Sequence, residues 1–213
     1  MSLPAAPWLT AAAALVLFGC ANLSTREPVR ADRSFDARAA ALNAVTHWEM
    51  RGRIAVDTGE DAWQGRFNWW QEGETLRLVI RGPVGGRAVE ITGDGNTLTV
   101  RARRETHVLS DPEAQLSELL GWWMPISSLP SWLLGLPDER FSSSSAVLRS
   151  GLLRGLEQRD WVMRYGDYAR HDTALIPAGI TFVHPPLELV VTIDDWSPMP
   201  GSSLELDSGR RAQ

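Results

Sequence analysis

The chain places apolar side chains at every second residue in run after run. Trp48, Met50, Gly52, Ile54 and Val56 alternate with Glu49, Arg51, Arg53 and Ala55, and Trp63, Gly65, Phe67 and Trp69 alternate with Gln64, Arg66 and Asn68. Successive side chains of a β-strand point to opposite faces, so each run predicts a strand with one apolar and one wet face. The period continues through Leu76, Leu78 and Ile80, then Val89 with Ile91 and Leu98 with Val100. It returns at Trp161, Met163 and Tyr165, at Ile180 and Phe182, and at Leu187, Leu189, Val191 and Ile193. Gly93-Asp94-Gly95-Asn96 is a hairpin signal between two of these strands. Strand and short turn, repeated this often, predict an antiparallel meander, and the shared apolar face predicts that it curls. Gly52 and Gly65 fall on apolar faces, where they either leave room for a ligand or permit the curvature.

With 213 residues, 44% apolar and 22% charged, the chain has material for one sizeable core with flanking segments. A net charge of -5 supplies no cationic field for a phosphate backbone and argues against nucleic acid as a partner. The ten tryptophans point to wide apolar walls with polar rims, because each indole is large yet carries an N–H that needs a partner. His47, His107, His171 and His184 show no metal-ligand spacing, and no nucleophile-elbow motif occurs. Asp194-Asp195 reads as a strand-end turn rather than an acid pair. The expectation is a protein that binds rather than catalyses, with no metal and no cofactor.

The first residues read as a targeting segment. Ala11 to Gly19 is almost wholly apolar and uncharged, the length of a secretory h-region and well short of a membrane span. It ends in Leu17-Phe18-Gly19-Cys20, which resembles the bacterial lipobox, and Cys20 is the only cysteine in the chain. The resemblance implies diacylglycerol on the Cys20 thiol, cleavage after Gly19 and acylation of the new amino terminus. Two or three acyl chains, at about 0.8 kcal/mol per buried CH₂, hold a protein on a membrane stably. Residue 21 is Ala rather than the Asp of inner-membrane retention signals, which implies the outer membrane. The organisation expected is a signal peptide over 1–19, a lipidated tether over 20–33, one domain over 34–196 and a tail over 197–213 without regular structure.

Two stretches are expected to be helical. Phe35, Ala39, Leu42 and Val45 recur at helical spacing between Asp32 and about Thr46. Ser110-Asp111-Pro112-Glu113 has the form of a capping box, opening a helix through Leu116, Leu119 and Leu120 that stops at Gly121. A second short helix follows from about Ser127 or Ser128 to Leu134 and ends at Gly135-Leu136-Pro137. These segments, with Trp122, Trp123, Met124 and Ile126 between them, either plug the curled sheet or form a lid over a cavity in it.

Several of these pieces, in order, resemble the LolB family of outer-membrane lipoprotein receptors. They are Trp48 to Val56, Phe67-Asn68-Trp69, Gly82-Pro83-Val84-Gly85, Gly121 to Pro125, Leu129 to Pro137, Gln158, Trp161 to Tyr165 with Tyr168, and a last strand closing at Trp196. The resemblance implies a mainly β fold with helical cover, an incomplete antiparallel β-barrel whose apolar concave face is closed by short helices. It implies a lipid-anchored, periplasm-facing monomer that accepts acylated lipoproteins from the soluble periplasmic carrier LolA and inserts them in the outer membrane. With no nucleotide site, such transfer has to run down a gradient of affinity. Ser142 to Ser145 departs from the family pattern and reads as a variable loop.

The residues expected to line an acyl-chain pocket are Trp48, Met50, Ile54, Phe67 and Trp69 from the first strands and Leu78 from the third. Leu119, Met124 and Trp132 from the helical stretch and Trp161 complete the set. Val84, raised in Gly82-Pro83-Val84-Gly85-Gly86 between Arg81 and Arg87, resembles the apolar loop tip that the family uses to deliver cargo to the bilayer. An alternative is a module binding lipopolysaccharide or glycan, or a structural assembly lipoprotein. Tryptophan placement separates these readings, since sugar platforms need exposed rings.

Overall fold

The computed structural model describes residues 27–82, 88–147, 150–172 and 174–200. Cys20, Val84 and the tail from 201 lie outside the described residues. The helix α1 (Glu27–Asn43) leads into β1 (His47–Asp57), β2 (Ala62–Glu72), β3 (Thr75–Arg81), β4 (Ala88–Gly93), β5 (Leu98–Ala102) and β6 (Glu105–Leu109). Two helices follow, α2 (Pro112–Leu120) and α3 (Leu129–Leu133). The chain returns through β7 (Ser144–Val147), β8 (Leu153–Gln158), β9 (Trp161–Tyr165), β10 (Tyr168–His171), β11 (Ala174–Pro177), β12 (Gly179–His184) and β13 (Leu187–Pro198).

Eleven strands form one antiparallel sheet in the order β6-β5-β4-β3-β2-β1-β13-β12-β9-β8-β7, and β10 pairs with β11 in a separate ribbon. The alternation read from the sequence is the alternation of burial: in β1, Trp48, Met50, Gly52 and Val56 are buried between exposed Arg51, Arg53 and Ala55. The sheet does not close, because its edge strands β6 and β7 do not pair. Those edges are consecutive in the chain, so the connection over residues 110–143, which holds α2 and α3, passes from one edge to the other and carries the cover with it. Among the described residues the core runs from Leu42 to Trp196.

Curvature has a local device. Arg51 lies opposite Asp195 but Gly52 lies opposite Ile193, so Asp194 is an extra residue in β13 and the register shifts there. A bulge of this kind bends its strand and increases the twist. It also turns both carboxylates outward, where Asp195 meets Arg51 and Asp194 meets Arg53. The expected strand-end turn at Asp194-Asp195 is therefore an interior bulge within β13. Gly52 sits at the same point, and a side chain there would run into the Thr192 carbonyl and the Phe67 ring. Neither Gly52 nor Gly65 lines the apolar cavity, and the register shift beside Gly52 accords with the curvature reading of that glycine.

Other boundaries differ from expectation. The first helix begins at Glu27, inside the stretch read as tether, and the last strand extends through Ser197 and Pro198, with the Met199 N–H donating to the His47 carbonyl at 2.8 Å. The Ser142 to Ser145 stretch read as a loop contributes to the edge strand β7. Ser110 does not cap α2: the helix starts after Asp111, and Gln115 reaches back to accept from the Ser110 and Asp111 N–H groups at 2.8 and 3.0 Å. Both stops hold, with Gly121 and Gly135 at φ of 82 and 70, the left-handed region that glycine occupies without strain.

Replacing Gly52 by Ala is expected to cost about 1–3 kcal/mol, since the added methyl overpacks a closed contact. A urea titration of both proteins followed by Trp fluorescence measures it.

Candidate functional site

The concave face is not filled to the helices that cover it. Between sheet and cover lies an apolar cavity of about 590 Å³. Its sheet wall is built by Ile54 and Val56 of β1, Phe67 and Trp69 of β2, Leu78 and Ile80 of β3, Val89 and Ile91 of β4, and Leu189 and Val191 of β13. Leu116 and Leu120 of α2, Trp122, Met124 and Ile126 of the link, and Leu129 and Leu133 of α3 form the roof. Trp63 also lines the cavity and is 43% exposed, which puts the opening at the strand end that carries the β1–β2 turn.

Five of the ten expected pocket residues, Ile54, Phe67, Trp69, Leu78 and Met124, line this cavity. Trp48, Met50, Trp132 and Trp161 do not: they are buried in the solid core beside it. Leu119 is 45% exposed, because the 100° turn per residue of α2 aims Leu116 and Leu120 inward and leaves Leu119 on the wet side. The sequence offered a stripe of three leucines, and only the partner face decided which two were covered.

The roof is fixed by polar groups at its margin. Arg159, in the tight β8–β9 turn, donates to both carboxylate oxygens of Glu113 on α2 and to the hydroxyls of Ser127 and Ser128 before α3. Its guanidinium lies 4.1 Å from the Phe141 ring centroid and 5.3 Å from that of Trp123. Trp132 plugs α3 into the sheet: its indole N–H donates to Gln158 Oε1 at 2.7 Å, and its carbonyl accepts from the Tyr165 hydroxyl at 3.1 Å. Gln158 in turn donates to the carbonyls of Asp138 and Phe141, and Asp138 accepts from Ser128 and Arg140. On the far side Arg38 of α1 donates to the carbonyls of Leu134, Gly135 and Leu175, satisfying the end of α3. Arg38 and Arg159 were not anticipated. Arg38 had a signal, since it stands three residues after Phe35 on the apolar stripe, whereas Arg159 in a turn had none.

These contacts set charge states. Burial raises the Glu113 carboxyl, but hydrogen bonds from Arg159 and Ser127 outweigh it and hold Glu113 below the usual carboxylate range. Asp138 is lowered likewise, burial being outweighed by Arg140 and Ser128. A carboxyl lowered in the folded state adds stability above its unfolded pKa, and that stability is lost as pH falls through the folded value. Arg159→Met is therefore expected to destabilise the protein by about 2 kcal/mol at pH 7. The gap between variant and parent should narrow between pH 7 and a pH below the folded Glu113 value, where that carboxyl is neutral. Urea unfolding at both pH values reads this.

No group of His, Cys, Asp and Glu that would hold a metal ion occurs among the described residues. The cavity wall is almost entirely hydrocarbon and aromatic, so what it offers a ligand is shape and burial.

Residues 46–196 match the family described as outer membrane lipoprotein LolB. The chain is 33% identical to the outer-membrane lipoprotein LolB of Nitrosococcus oceani over 85% of its own length and 92% of the relative's. It is 27% identical to that of Chromohalobacter salexigens over 89% of each. In fold it is similar to a LolA superfamily protein from Nitrosomonas europaea, with a TM-score of 0.54 at 8% identity over 80% of this chain and 94% of the other. A DUF1329 family protein from Desulfovibrio piger gives 0.53 at 11% identity over 83% and 95%. The open sheet, the roof over it and the match through residues 46–196 agree, and the chain belongs to the LolB family of outer-membrane lipoproteins, with a role in lipoprotein localisation.

Proposed function

We propose that the chain is a membrane-anchored receptor that takes acylated lipoproteins from a periplasmic carrier of the LolA type and passes them to the outer membrane. The observation that carries this reading is the apolar cavity of about 590 Å³, open at one end. A sixteen-carbon chain exposed to water costs on the order of 12 kcal/mol, so an acylated protein crosses an aqueous gap only when its chains are shielded. A cavity without charges shields them and does no chemistry on them, and transfer then follows from differences in affinity between carrier, receptor and bilayer. Cys20, lipidated, is the anchor in this reading. A glycan-binding role is less well supported, because Trp48, Trp69, Trp132, Trp161 and Trp196 are buried and Trp63 is the exposed tryptophan among the described residues.

The two leucines that the roof helix separates provide the test. Leu120→Glu sets a carboxylate on the cavity wall and is expected to weaken binding of a fluorescent fatty-acyl probe at least tenfold. Leu119→Glu, on the outer side of the same helix, should leave it unchanged. Equal effects, or no probe binding by the parent protein, would remove the cavity from the mechanism. The delivery step is assigned to Val84, whose insertion in a bilayer contributes only about 1.5 kcal/mol, enough to set the mouth against lipid and too little to anchor the protein. Val84→Glu is expected to keep stability and cargo acceptance near normal while slowing release of cargo into liposomes, followed by flotation of the vesicles.

A further inference from the structure

The outer face of the sheet carries an arrangement that neither the cavity nor the roof explains. Arg53, Arg66 and Arg81 lie directly opposite one another on the adjacent strands β1, β2 and β3. Like charges facing each other across strands about 4.8 Å apart repel, so the row lowers stability where it stands. Asp194 neutralises Arg53. Arg66 and Arg81 are exposed, and neither makes an ion pair among the described residues. They border a shallow groove on the outer face that takes in Asn68, Thr192 and the exposed Val190.

Register places this row at the cavity's opening. Arg81 pairs with Ala88, and Val89 pairs with Ala102, so the β5–β6 turn with exposed Arg103 and Arg104 lies at the same end of the sheet. Ile54, Gln64 and Gly82 line both the apolar cavity and the outer groove, so the two surfaces meet along one rim. Trp63 stands on that rim. Exposed acidic side chains also stand at this end, Asp57, Glu60 and Asp61 at the β1–β2 turn, Glu188 opposite Asp57 and Glu105 next to Arg104, but none of them pairs with Arg66 or Arg81 among the described residues.

We infer that the arginine row docks this rim on anionic phospholipid headgroups, holding the opening of the cavity at the bilayer surface; the inference deepens the receptor reading above and rests on it. Arg66 and Arg81, neighbouring guanidiniums with no carboxylate partner among the described residues, match a surface of repeated phosphates. An indole at the same level is the side chain that settles at the boundary between headgroups and acyl chains. The row is distinct from an apolar loop tip, since it acts through charge and fades as salt rises.

The test uses the chain carrying Cys20→Ser, which removes the expected lipidation site, and phosphatidylethanolamine vesicles with and without phosphatidylglycerol. The parent protein is expected to bind the anionic vesicles more tightly and to lose that preference at high salt. Each arginine near an anionic surface contributes roughly fivefold, so Arg66→Gln with Arg81→Gln is expected to weaken binding about 25-fold. Arg164→Gln, on the outer face of β9 away from the rim, should change nothing. Undiminished vesicle binding by the double variant, or an equal loss in Arg164→Gln, overturns the inference. So does a double variant that binds vesicles normally but no longer receives cargo from the carrier, which would make the row a protein-docking surface. Fatty-acyl probe binding is measured alongside: its loss in the parent protein counts against the cavity, and its persistence in the double variant confines any failure to the docking row.

Discussion

A sheet with one wholly apolar face has to remove that face from water, and a sheet whose edges do not meet cannot do so by closing on itself. Here the central pairing of β1 with β13 and the bulge at Asp194 curl eleven strands into a trough, and β6 and β7 remain as free edges. Because those edges are neighbours in sequence, one connection crosses the gap, and its apolar residues become the roof. The cavity follows from this geometry. Trp132 of α3 reaches the floor on the side of β8, β9 and β12, and over β1 to β4 the cover stands off it.

What keeps the roof from sinking is the placement of polar groups. Arg159 with Glu113, and Trp132 with Gln158 and Asp138, bind the cover at its margin through groups whose removal leaves a buried partner unsatisfied. If the roof moved inward to fill the void, these bonds would break. The hydrogen-bonded margin and the bare apolar interior therefore work together: directional contacts set the height of the roof, and the non-directional interior leaves the space beneath unassigned.

Much of the sheet was legible in the sequence because period-two patterning and burial are one phenomenon seen twice. Trp48, Met50 and Phe67 are inward both in the pattern and in the fold. The helices were legible at their glycine stops, where a positive φ singles out one residue type, and less so at the α2 start, where Gln115 replaced the expected Ser110 cap. Membership of the cavity was half legible. Alternation distinguishes inward from outward but not core from cavity: Met50 and Phe67 are both inward, and only the position of the roof makes one solid core and the other wall. Arg159 was not legible at all, since its role depends on a helix that sequence distance gives no reason to bring near.

The size of the cavity is itself informative. At about 24 cal/mol per Å³, a sealed void of about 590 Å³ would cost on the order of 14 kcal/mol, comparable to the whole net stability of a domain. Such a space is tolerable only if it opens to solvent or is filled, and this one opens beside Trp63. Water inside finds almost no polar partner on the walls, so it is held poorly there. Displacing it with hydrocarbon then needs no rearrangement of the wall and no polar recognition. On the receptor reading, the same lack of directional contacts governs release: a chain held only by burial has no bond to break on leaving. The cavity gives it up to a surrounding that buries it at least as well, which in an aqueous compartment means the interior of a bilayer.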